Sequence, residues 1–267
     1  MNPVETKRGD GPVILAMPHT GLYVPDQIFK ALNERGRALA DADWRVDRLY
    51  DGLLESATIV RATFHRYVID ANRDPAGASL YPGQNTTELC PATDFGGAPI
   101  YRDGAKPDEA EIARRRGLYH APYHAAIEAK IARARAAHGI AVLYDCHSIR
   151  SEIPFLFDGR LPDFNIGTNG GKTCARGLEK EVFNICKAAD GYSCILNGRF
   201  KGGWTTRHYG RTLEHVHAIQ MELAQRTYME EAPPWAYRAE NADRLRAHLK
   251  RVLTAVDQWA RERSDSL

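Results

Sequence analysis

Two short apolar runs in this chain each lead into a histidine. Val13-Ile14-Leu15-Ala16-Met17 runs into Pro18-His19-Thr20-Gly21, and Ile140-Ala141-Val142-Leu143-Tyr144 runs into Asp145-Cys146-His147-Ser148. Such runs, bounded by turn-forming residues, read as buried strands. Further strands are expected over 57–62, 66–70, 164–169, 194–197 and 216–223. Helical spacing marks 26–37, 43–56, 109–137, 174–188 and 241–263. Strands that alternate with helices predict an α/β fold, with a mixed, largely parallel sheet sandwiched by helices. A length of 267 residues suits one large domain, 1–267, with its core over about 11–255.

Charge excludes some partners. A formal net charge of +2 gives no electrostatic basis for binding nucleic acid or a membrane. No apolar run approaches the roughly 20 residues that cross a bilayer. Residues 1–10 are polar, so a cytoplasmic protein acting on a small molecule is expected. The five cysteines, with no C-x-x-C spacing, read as reduced, small apolar residues. Residues 76–108, rich in Gly, Pro, Thr and Asp, read as a long loop or flap.

In a twisted sheet, neighbouring strand ends lie close together, so His19 and His147 can meet at one metal ion, with a carboxylate completing the set. Asp43 and Asp47 are four apart at an expected helix start, where first-turn acids also favour the helix dipole. Asp145 shares a strand face with His147 and can orient its ring, or cap the next segment. Asn72-Arg73 follows a strand; the guanidinium can grip a carboxylate or pair with Asp74. Arg207-His208 follows the Gly-rich residues 202–206, which either admit a ligand or form a tight loop. Glu222 sits in an apolar strand, where burial would raise its pKa into the range of a general base. His120 and His124 are four apart, but Pro122 interrupts and the H-E-x-x-H glutamate is missing, so a structural role is favoured. His215 and His217 read as a solvated strand start. A nucleophile elbow and a full Walker pattern are both absent.

Six segments in this order resemble the N-formylglutamate amidohydrolase family. They are Pro18-His19-Thr20-Gly21, Asp43-Trp44-Arg45-Val46-Asp47-Arg48-Leu49-Tyr50, Ile69-Asp70-Ala71-Asn72-Arg73, Tyr144-Asp145-Cys146-His147-Ser148, 202–210, and Gln220-Met221-Glu222-Leu223. The resemblance runs from about residue 11 to 255. It implies a distant likeness to zinc carboxypeptidases and aspartoacylases, hence an eight-stranded-type sheet of the phosphorylase/hydrolase-like kind and one zinc per chain, or another divalent metal. It implies His19 and His147 as ligands. The relatives carry a Glu three residues after the first His; Leu22 stands there and cannot ligate. Asp43 is the expected substitute, with Asp47 behind it. Glu222 is the implied catalytic base. Asn72, Arg73, Arg207 and His208 are the implied substrate-binding residues. The implied reaction is deformylation of N-formyl-L-glutamate, as in histidine degradation. The alternatives are another N-acyl acidic amino acid or a C-terminal peptide bond as substrate, and a non-catalytic binding protein.

Overall fold

The wholly apolar runs become the middle of a sheet. A computed structural model describes residues 1–79 and 83–264. Seven strands form its sheet: β1 (Val4–Lys7), β2 (Val13–Met17), β3 (Thr58–Ala62), β4 (Ala141–Ile149), β5 (Phe164–Gly167), β6 (Cys194–Leu196) and β7 (Val216–Ala224). Their order is β1-β3-β2-β4-β7-β5-β6. Strands β3, β2, β4 and β7 pair in parallel, as do β5 and β6; β1 on β3 and β5 on β7 are antiparallel. Every residue of β2, β4 and β7 is buried.

The helices are α1 (Asp26–Ala31), α2 (Glu34–Arg37), α3 (Val46–Tyr50), α4 (Glu109–Arg115), α5 (Ala121–His138), α6 (Arg176–Lys187), α7 (Trp204–Tyr209) and α8 (Ala239–Ser264). Alternation along the strands builds two cores. Leu15, Met17, Val142, Tyr144, Ile219 and Met221 pack with Leu245, Leu249 and Val252 of α8. Ile14, Ala16, Leu143 and Ala218 pack with Tyr123, Ile127 and Ile131 of α5. By the same alternation His147 and Glu222 lie on the α5 face, in line with Leu143 and Ala218.

The mixed, largely parallel sandwich matches the expectation, with departures in detail. The described residues form seven strands, where the resemblance implied an eight-stranded type. Residues 66–70 are not a strand. Val68 N–H donates to the His65 carbonyl at 2.9 Å and Asp70 N–H to the Leu89 carbonyl at 2.7 Å, so turn and loop partners replace a ladder. The helix expected over 26–37 is split at Asn33, whose side chain caps α2, and that over 43–56 shrinks to α3. The polar edge strand β1 was not expected; one valine gives it little apolar signal. The flap expected over 76–108 includes residues 80–82, which lie outside the described residues.

Candidate active site

Parallel β2, β4 and β7 open their carboxyl ends on one edge of the sheet, where open α/β folds place their sites. His19 lies just beyond β2. His147 lies inside β4 rather than after it, because the strand runs on through Asp145 to Ile149 with each polar side chain finding a partner. Parallel pairing sets His147 directly beside Glu222 of β7. Asp43 arrives from the turn before α3: its N–H donates to the His19 carbonyl at 3.0 Å. Arg45, at φ 64°, turns the chain into the helix immediately afterwards.

These side chains converge. His19 Nδ1, His147 Nδ1 and an Asp43 oxygen all lie within 4.8 Å of one another, and all three residues are buried. The two Nδ1 atoms are 3.2 Å apart, and Asp43 Oδ2 is 3.1 Å from His147 Nδ1 and 3.6 Å from His19 Nδ1. On the far side of each ring stands a carboxylate. His19 Nε2 is 2.7 Å from Asp70 Oδ1, and His147 Nε2 is 3.0 Å from Asp145 Oδ1. An Nε2–H held by a carboxylate leaves Nδ1 as a lone pair aimed at the cluster. Two such lone pairs and a carboxylate facing one another can hold a cation between them. Two imidazole nitrogens, one carboxylate oxygen and an open side form a donor set that fits a catalytic divalent metal. Asp47, by contrast, points away: Arg61 Nη1 donates to its Oδ2 at 2.8 Å.

The buried acids and rings of the cluster act strongly on one another. Burial alone would push the Asp43 and Asp70 carboxyls up, but the neighbouring His19 charge, with Arg66 behind it, holds both below the ordinary carboxylate range. Burial would lower His147, yet Asp145 and Asp43 hold it well above 6.5. Glu222 has no such dominant partner: burial pushes it from 4.5 up to about 8, against the pull of His147. Gln220 Nε2 donates to Glu222 Oε2 at 3.0 Å and fixes the carboxylate plane.

A cleft with about 620 Å³ of space, open to solvent, lies over this cluster. His19, Asp43, His147, Asn72, Arg73 and Glu222 all line it. Arg73 is held from behind, its Nε donating to the Thr87 carbonyl at 2.9 Å and its Nη2 to Thr87 Oγ1 at 3.0 Å. Asn72 Oδ1 accepts from Thr205 N–H at 2.9 Å. Gly203 is required beside it, because a Cβ there would lie 2.2 Å from Asn72 Nδ2.

Arg207 and His208, expected to bind substrate, are not among the residues that line this cleft. The Gly-rich approach is real, but it leads into α7, which turns both side chains elsewhere. Arg207 Nε donates to the Gly202 carbonyl at 2.8 Å, and His208 stacks on Trp204 at 4.2 Å between ring centroids, exposed to solvent. The structure supplies two residues that sequence reasoning missed, Asp70 and Arg66. Arg66 is buried, its guanidinium rests against His19 Nδ1, and its Nη2 is 3.8 Å from Asp43 Oδ1. The faint signal was the polar pair closing the ends of an otherwise apolar segment, 66–70.

With this geometry in view, comparison with known proteins places the chain. The sequence profile of the N-formylglutamate amidohydrolase family matches residues 11–229. The chain belongs to the N-formylglutamate amidohydrolase family. It is 48% identical over 258 residues to an N-formylglutamate deformylase of Pseudomonas aeruginosa, covering 96% of this chain and 97% of that protein. It is 45% identical over 257 residues to an N-formylglutamate deformylase of Pseudomonas putida, covering 96% of each. The crystal structure of N-formylglutamate amidohydrolase from Ralstonia eutropha JMP134 superposes with a TM-score of 0.81 at 26% identity, covering 98% of this chain and 99% of that one. Family membership therefore extends over nearly the whole chain and includes every element that shapes the cleft.

Proposed function

We propose that this chain hydrolyses the formyl amide of N-formyl-L-glutamate to formate and L-glutamate, with one divalent metal, zinc by preference, held by His19, Asp43 and His147. The observation that carries the reading is the juxtaposition of that donor set with Glu222, in register across β4 and β7, inside a cleft that also holds Arg73. The 48% identity to a named deformylase supports the choice of substrate. The resemblance sets this reaction within histidine degradation, and the proposal places it in the cytoplasm; among the described residues no helix is long and apolar enough to cross a membrane.

A bound divalent ion lowers the pKa of water to about 7 and polarises a carbonyl. The chain does the rest. Glu222 takes a proton from the attacking water, whose oxygen bonds to the formyl carbon. It then delivers that proton to the amine nitrogen as the C–N bond breaks. Gln220 keeps the Glu222 carboxylate in one orientation. The guanidinium of Arg66, already beside His19, offers positive charge where the carbonyl oxygen becomes an oxyanion. Arg73, braced by Thr87, grips a substrate carboxylate in a bidentate fork, and Asn72 lines the floor beside it.

Formate release from N-formyl-L-glutamate by the purified, zinc-loaded protein tests the proposal. Turnover in the range of about 1–10³ per second is expected. No release from N-formyl-L-glutamate, with release from N-acetyl or N-succinyl amino acids instead, would move the activity to another acyl group.

A further inference from the structure

We infer that Arg199 recognises the side-chain carboxylate of the substrate, so that the cleft selects acyl amino acids with an acidic side chain. The inference rests on the deformylase reading and names the residue that gives it specificity.

Three guanidinium groups line the cleft: Arg66, Arg73 and Arg199. Arg66 lies against His19 and Asp43, at the reacting end. A dicarboxylate then needs two further cations, and Arg73 and Arg199 supply them. Both are fastened to one short stretch of chain. Arg73 donates to Thr87, while Arg199 Nη2 donates to the Asn85 carbonyl at 3.0 Å. Residues two apart are separated by at most about 7 Å between Cα atoms. The two carboxyl carbons of an extended glutamate lie roughly 5 Å apart, given C–C bonds of about 1.5 Å. The stretch 85–87 thus anchors both guanidinium groups at one place along the cleft.

Arg199 is positioned, not merely nearby. Its Nε donates to the Leu156 carbonyl at 2.9 Å, and Asn85 Nδ2 donates to the Phe155 carbonyl at 2.8 Å, which ties 85–87 to the wall at 155–156. These carbonyl acceptors fix the plane of the guanidinium against the cleft wall. Leu156 and Phe200 line the same wall and offer apolar cover for the methylenes between the two carboxylates. Arg207, implied as a substrate-binding residue, is not among those that line the cleft.

The test compares kcat/KM for N-formyl-L-glutamate and N-formyl-L-glutamine, which differ by one charge. The native chain should prefer the glutamate form by about 10- to 100-fold, the value of one charge-assisted hydrogen-bonded contact. Arg199→Gln should collapse that ratio toward one. Arg199→Lys should retain part of it, because the charge stays and the fork is lost. An unchanged ratio in Arg199→Gln, or an equal fall on both substrates, overturns the assignment. If the native chain releases formate from neither compound, the deformylase reading falls by itself. Calorimetric binding of L-glutamate and L-glutamine then decides the present inference: a preference lost in Arg199→Gln upholds it, and equal affinities for the native chain overturn it.

Discussion

Glu222 and Asp43 carry the sharpest consequences at the scale of single residues. Glu222→Gln keeps the shape and the Gln220 contact but cannot take a proton. It should lower kcat by about 10²- to 10⁴-fold while metal content stays at the native level; turnover within a few-fold of native would remove Glu222 from the proton transfers. Asp43→Ala should strip the bound metal, measured by elemental analysis after dialysis. Asp47→Ala should leave it, because Asp47 is engaged with Arg61 outside the cluster. Equal metal loss in both variants would contradict the assigned donor set. That His19, Asp43, His147 and Glu222 gather at one cleft was legible in the sequence. A histidine after a five-residue apolar run, or a glutamate inside one, is out of place unless it has a partner or a task. Arg66 and Asp70 were illegible for the converse reason. They bracket Tyr67-Val68-Ile69, so they looked like the ends of a strand, and only the tertiary fold shows both facing His19.

At the scale of elements, strand register does most of the positioning. Parallel pairing of β4 with β7 sets His147 beside Glu222, and no sequence pattern states which residue of one strand faces which of another. Behind the cleft, a one-turn π-helix at Arg116–His120 joins α4 to α5, and Pro122, which has no N–H to donate, follows just after it. The sequence pointed to a structural use of His120 and His124, and the structure gives it content. His120 Nε2 is 3.0 Å from the Arg73 carbonyl and His124 Nε2 is 2.8 Å from the Ala71 carbonyl. The pair clamps the backbone that presents Asn72 and Arg73. His120→Ala should therefore raise KM by roughly 3- to 10-fold with kcat little changed, the value of one hydrogen bond. His120→Gln, which keeps an N–H donor, should recover most of the loss. A fall in kcat with KM unaltered would detach His120 from the substrate loop.

For the whole molecule, two apolar faces on one sheet were readable from alternation, and the helices that cover them from their spacing. The second carboxylate clamp was not, because a Gly-rich segment announces a close backbone approach without saying which side chains follow it into the cleft. The fold also carries a pH signature. Burial depresses His124 from 6.5 to about 3. A depressed histidine contributes stability that is complete above 6.5 and lost as pH falls toward 3, since the unfolded chain binds the proton first. Glu222, raised to about 8, acts in the opposite sense, so the contribution of His124 is best read as a difference. Between pH 7 and pH 5, a His124→Gln chain should lose less unfolding free energy than the native chain, by up to about 1.4 kcal/mol per pH unit below 6.5. Parallel pH profiles from denaturant melts would mean that His124 titrates alike in both states.

The most direct test of the account is a metal titration followed by formate release. Chelator-treated protein should be inactive toward N-formyl-L-glutamate. Turnover should then rise in proportion to added zinc and level off at about one equivalent per chain, as a three-donor mononuclear site requires. Full turnover in the metal-free chain, or a plateau reached only at two equivalents, would contradict the single site at His19, Asp43 and His147.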